Sequence, residues 1–125
     1  MISELHNILV EFSREVPSFT ASAVVSMKDG LSLAEYSVNP ALDIAASSAY
    51  LTQLVESNLH GIKLLGYKEK IDDILLTTDV NYFLVKPVEE KLFFHFVIIG
   101  KGEWLGLTRL LMNQYCNAII RIISG

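Results

Sequence analysis

Cysteine is nearly absent. Cys116 is the only one, which excludes an internal disulfide and any cysteine-rich metal framework, and points to a reduced, intracellular setting. Its place in a helical pattern suits a small buried hydrophobe. Basic charge is also scarce, with 10 Lys and Arg against 14 Asp and Glu for a net charge of −4, and the cations are scattered along the chain. Neither nucleic acid nor an anionic membrane would find the basic face it requires. There is no long hydrophobic run either. The most apolar stretch, residues 92–100, falls far short of the ~20 residues that span a bilayer, and His95 interrupts it. The first twelve residues include Glu4, His6, Asn7 and Glu11, so a basic segment followed by an apolar one, as secretion requires, is missing. The expectation is a soluble, cytoplasmic protein with no cofactor and no metal.

What remains is a chain of 125 residues, 51% of them hydrophobic, without repeats or low-complexity tracts. That length and composition suit one domain over residues 1–125, with one core. Ser3 precedes Leu5, Ile8, Leu9 and Phe12 at helical spacing, so it is a candidate N-cap for a first helix over residues 4–15, which Pro17 stops. Residues 19–27 alternate as a strand, with Ala21, Ala23 and Val25 on one side and Thr20, Ser22, Val24 and Ser26 on the other. Asp29-Gly30 then suits a tight hairpin turn, and residues 31–37 return. Asp43 is placed to cap a second helix over residues 44–65 that Gly66 closes. Residues 71–77, 82–88 and 92–99 read as three strands, and their connections are too short for crossovers, so they form an antiparallel meander. The last of them is apolar on both faces, which predicts a central place between two layers. Leu107, Leu110, Leu111, Ala118, Ile119, Ile122 and Ile123 define a final helix. The predicted order is α-β-β-α-β-β-β-α.

This layout resembles the Roadblock/light-chain-7 (MglB-like) family over almost the whole chain. The resemblance rests on Val16-Pro17, on the hairpin from Ala23-Val24-Val25 through Asp29-Gly30-Leu31, on the helix start Asp43-Ile44-Ala45-Ala46-Ser47-Ser48-Ala49, and on Tyr82-Phe83-Leu84-Val85-Lys86-Pro87-Val88. Ser18 stands where the family commonly has glycine. The resemblance implies a profilin-like α/β (α+β) sandwich, in which a five-stranded antiparallel sheet carries helix two on one face and helices one and three on the other. It also implies a dimer made by joining edge strands and pairing helix two, which here gives a seam of Tyr50, Leu54, Gly61 and Leu65 with Ile71, Asp73 and Leu75. Several family members bind a Ras-like small GTPase across the paired helices. The function implied is that of a non-enzymatic dimeric platform that binds and regulates or localises such a GTPase. Some activating members extend beyond the last helix, whereas this sequence ends at Ile123-Ser124-Gly125, so the resemblance leaves a true activating role in doubt.

At 100° per residue, Ile44, Tyr50, Leu51, Leu54, Val55, Leu59, Gly61, Ile62 and Leu65 of helix two fill an arc of roughly 180°, wider than the ~100° stripe that one sheet covers. A second partner for this arc is expected, either a loop of the same chain or another copy. Gly61 favours a close helix approach, because an interior glycine costs about 1 kcal/mol against alanine. Opposite lie Thr52, Gln53, Glu56, His60 and Lys63, a solvated stripe or, by the resemblance, the partner-binding surface formed by Gln53, Glu56, His60 and Lys63. Glu56 and His60 lack a third metal ligand. His95, between Phe94 and Phe96, reads as a hydrogen-bonded core histidine. Asp72 and Asp73 would alternate across a strand and could not act as one dyad. Gly100-Lys101-Gly102 lacks the Lys-Ser/Thr ending of a P-loop and reads as a strand exit. The rival reading is a small-ligand sensory module of the same layout, with His95 as the internal polar group beside a cavity. An adaptor for a non-GTPase complex is a further alternative.

Overall fold

A strand with two apolar faces needs a layer on each, and the fold is organised around that requirement. The computed structural model describes residues 1–88 and 92–125; the predicted turn at Glu89-Glu90-Lys91 lies outside the described residues. The elements are α1 (Ile2–Glu15), β1 (Phe19–Ser26), β2 (Leu31–Ser37), α2 (Ile44–Leu64), β3 (Ile74–Thr77), β4 (Asn81–Val88), β5 (Phe93–Gly100) and α3 (Leu105–Ser124), in the predicted order. The five strands form one sheet in the order β2-β1-β5-β4-β3, antiparallel throughout, with β5 at its centre.

Strand alternation divides the core in two. Phe94, Phe96 and Ile98 of β5 join Ala21, Ala23 and Val25 of β1 beneath Ile44, Leu51 and Val55 of α2. On the other face Val97 and Ile99 meet Phe12 of α1 and Leu111 and Met112 of α3, while Val24 and Ala34 meet Leu5, Leu9 and Ile119. Pro87 is tolerated inside β4 because β3 pairs only with Tyr82 to Val85, leaving no partner on that side for the missing amide hydrogen.

Several boundaries differ from the sequence reading. Helix α1 starts at Ile2, with Met1 as its N-cap and no side-chain cap, so Ser3 lies inside the helix. The Leu5 amide bonds the Met1 carbonyl at 3.0 Å, which serves the first turn from the backbone. Strand β3 is only four residues long, so Ile71, Asp72 and Asp73 precede it. The two carboxylates still diverge, because Lys86 Nζ stands 4.0 Å from Asp72 while the Arg109 guanidinium donates to both oxygens of Asp73 at 3.0 and 3.1 Å. Of the apolar α3 residues, Leu107 and Leu110 are exposed, and Thr108 and Met112 take buried places instead. The Thr108 hydroxyl satisfies itself on the Trp104 carbonyl at 2.8 Å, which is why a polar residue can occupy that position.

Turn chemistry follows the sequence more closely. Gly30 has φ +72° and Gly66 φ +82°, both in the left-handed region that glycine enters without steric cost. The Asp29 carboxylate accepts the Leu31 amide at 3.1 Å, and Asp43 caps α2 by accepting the Ala46 amide at 2.9 Å.

Candidate partner-binding surface

Helix α2 buries one side and leaves the rest open. Ile44, Ser48, Leu51, Thr52 and Val55 are its buried residues. Thr52 therefore does not belong to the outward stripe: its hydroxyl donates to the Ser48 carbonyl at 2.8 Å, and its side chain lies against Gly30 of the β1–β2 turn. Gln53, Glu56, His60 and Lys63 are all exposed.

The remaining edge of the helix is apolar and open. Tyr50 is 53% exposed, and Leu64 and Leu65 are 73% and 70% exposed at its end. Leu54 is half-buried and packs against the α2-side core together with Ile74 and Phe83. Among the described residues a Cβ added at Gly61 would meet nothing within 4 Å, so no contact among them requires glycine there.

The edge strand continues this open surface. Ile74 pairs with Val85 and Leu76 with Phe83, and alternation sends all four to the α2 face, where Ile74, Leu76 and Phe83 stay half-buried. Leu75, paired with Leu84, goes to the opposite face and packs beside the α1/α3 core. Ile71 is half-buried ahead of the strand, and Asp73 is held by Arg109. The structure thus brings Tyr50 and Leu54 to the same side as Ile74 and Leu76, and separates them from Leu75. Sequence reasoning missed Leu76 and Phe83; the period-2 alternation of β3 held the signal, but its register stayed hidden while the strand was started at Ile71.

Chemistry-bearing groups are locked into structure. His95 is buried, with Nε2 hydrogen-bonded to Ser22 Oγ at 2.7 Å and its ring edge-on to Phe12 at 4.9 Å. Burial lowers its pKa from 6.5 to about 3, so the ring is neutral. It lines neither of the two hollows beside α2. Burial raises the Cys116 thiol above its ordinary value, against the opposing pull of Lys86. The Tyr115 hydroxyl is pushed up to about 12, by burial first and then by its hydrogen bond to Glu15. Among the described residues no three His, Cys, Asp or Glu side chains gather as metal ligands, and no helix is long and apolar enough to cross a membrane.

A five-stranded antiparallel sheet with one helix on one face and two on the other is shared, over nearly full length, with Myxococcus xanthus MglB: TM-score 0.87 at 13% identity, covering 98% of this chain and 90% of that one. The chain has the Roadblock/LC7 fold. A Roadblock/LC7 domain from Streptomyces avermitilis superposes with TM-score 0.85 at 15% identity, covering 96% of this chain and 98% of that one. An MglB with tetrameric arrangement gives 0.80 at 16%, covering 96% and 87%. No family model and no curated protein matches the sequence. In this Roadblock/LC7 frame, α2 is the single helix on its face of the sheet, and its open edge and stripe form the surface described above.

Proposed function

We propose that this chain is a non-enzymatic, dimeric platform of the MglB-like type, which binds a Ras-like small GTPase and regulates or localises it. The observation that carries the reading is the set of open or half-covered apolar side chains on the α2 side of the sheet: Tyr50 and Leu54 of α2, and Ile74, Leu76 and Phe83 at the β3 edge. An edge strand with unpaired backbone groups beside an uncovered apolar face is a template for a second copy. A two-fold related copy would meet it with the same patch and cover both at once. The likeness to MglB across the whole fold is compatible with self-assembly, since one such neighbour is described as having a tetrameric arrangement.

The partner surface in this reading is Gln53, Glu56, His60 and Lys63, exposed on α2 and clear of the apolar edge. In a dimer the two stripes flank the axis, so one GTPase can contact both chains unequally, giving two platform chains per partner. Reversing exposed charges costs little stability but alters complementarity and association rate. Calorimetry with a Ras-like GTPase that co-purifies with the protein tests this: Glu56→Lys and Lys63→Glu should weaken binding while melting and self-association stay unchanged. Unchanged affinity in both variants would remove the stripe from the partner surface.

A further inference from the structure

The sheet has two edges, and their outward backbones differ. On β3 the Thr78 amide bonds the Asn81 carbonyl, and alternation along the β3–β4 ladder then turns the amides and carbonyls of Leu75 and Thr77 away from β4. Among the described residues no hydrogen-bond partner meets those groups, and no side chain from Ile74 to Thr77 is charged. On β2 the Val38 amide bonds the Thr20 carbonyl, so the same alternation turns the amides and carbonyls of Glu35 and Ser37 outward. Here a side chain intervenes. His6 of α1 places Nδ1 3.2 Å from the Glu35 carbonyl oxygen, and since a carbonyl only accepts, the ring donates. Tyr36 stands edge-on to the imidazole at 6.1 Å and is itself stacked on Phe19 at 5.9 Å, which limits how far the ring can move. Leu33 is an extra residue in the ladder opposite Val24 and Val25, a bulge. The exposed Glu35 carboxylate, bonded by Ser32 Oγ at 2.8 Å, adds a charge beside the strand.

A strand added at β2 would have to donate to the carbonyl that His6 already occupies, and so displace the imidazole. A second copy centred there would also set two Glu35 carboxylates opposite each other. The difference between the edges decides the form of assembly. Two-fold joints at both edges would link copies alternately, β3 to β3 and β2 to β2, in a ribbon without an end, whereas one joint gives a closed pair. We infer that His6 shuts the β2 edge to a further strand, so that the sheet extends through β3 alone and edge-to-edge association stops at two chains. The inference rests on the platform reading for the β3 joint, and it adds the residue that keeps that joint single.

The test follows the mass of the full chain by sedimentation velocity, and its amide exchange by NMR, as concentration rises from micromolar to millimolar. In the wild type the mass should level at two chains; the Leu75 and Thr77 amides should slow about tenfold once nine chains in ten are paired, while those of Glu35 and Ser37 stay fast. His6→Ala with Glu35→Thr removes the bonded ring and the charge, both at exposed positions, so the fold is kept. Its mass should climb past two chains, with the amides at positions 35 and 37 now slowed. His6→Asn, whose side-chain amide can stand in for Nδ1, should behave as the wild type. The inference is overturned if the double variant keeps the wild-type mass, if its mass grows without slowing those two amides, as in unordered aggregation, or if they slow with concentration in the wild type. Leu76→Asp separates this from the platform reading: added to the double variant it blocks the β3 joint, and growth should then stop at two chains joined through positions 35 and 37. A monomeric wild type sinks the platform, and the closure of β2 is then decided by whether the double variant pairs through those same positions.

Discussion

Ser18 shows how much one backbone angle can decide. Its φ is +59°, the only non-glycine residue among those described in the left-handed region, and its carbonyl accepts the Gly100 amide at 2.9 Å to tie the α1–β1 turn to the end of β5. An L-residue pays about 1 kcal/mol or more there, a cost that glycine escapes. Ser18→Gly should raise stability by up to about 1 kcal/mol, partly offset by the greater freedom of glycine in the unfolded chain, as read from a denaturant melt. His95 carries a second residue-scale expectation. Its folded pKa, near 3, lies below the ordinary 6.5, so below pH 6.5 the unfolded chain takes up a proton that the folded chain refuses. Stability should therefore fall as pH drops from about 6.5 toward 3, approaching 1.4 kcal/mol per pH unit from this group, and show no such loss above pH 6.5. Thermal melts at pH 7, 6 and 5 check it; in the Ser22→Ala/His95→Leu double variant, which removes both halves of the hydrogen bond, the slope should flatten by that amount.

Among the elements, β5 and β3 stand at opposite extremes. In β5 the residues from Phe94 to Ile99 are all buried, between two layers. Phe96→Ala should cost about 3 to 5 kcal/mol, because the cavity lies where neighbours on both sides are fixed; a loss under about 1 kcal/mol in a urea melt would contradict the central placement. Strand β3 has four residues, one paired neighbour and a tether, the bidentate Asp73–Arg109 contact. Both side chains are partly exposed, so Arg109→Gln should cost only about 0.2 to 1 kcal/mol globally. The local effect should be larger, with amide exchange at Leu75 and Leu76 accelerating before any change in β5.

At the scale of the whole molecule the question is what covers the edge of α2. The helix lies over its sheet with Leu51 and Val55 fully buried, yet leaves Tyr50 open and Leu54, Ile74, Leu76 and Phe83 only half covered. If the proposed dimer forms, Leu54→Asp and Leu76→Asp should each shift it to monomer in light scattering while the far-ultraviolet circular dichroism keeps its shape. A wild-type protein that is monomeric at micromolar concentration would sink the dimer and, with it, the shared platform.

The sequence by itself determined the element order, the sides of β1 and β5, the turns at Gly30 and Gly66, and the Asp43 cap, because each depends on local periodicity, on a residue's own backbone preference or on a hydrogen bond within a few positions. The central place of β5 was legible for the same reason: both of its faces are apolar. Only the tertiary structure decided the length of β3: Asp72 and Asp73 lie ahead of it, and the side chains they meet, Lys86 and Arg109, are distant in the chain. It also turned Thr52 inward against Gly30, left Leu107 and Leu110 outside, and set the β3 register that puts Leu76 rather than Leu75 beside α2. Those outcomes depend on which groups from elsewhere in the chain arrive to cover or pair with a residue, and one-dimensional spacing carries no record of that.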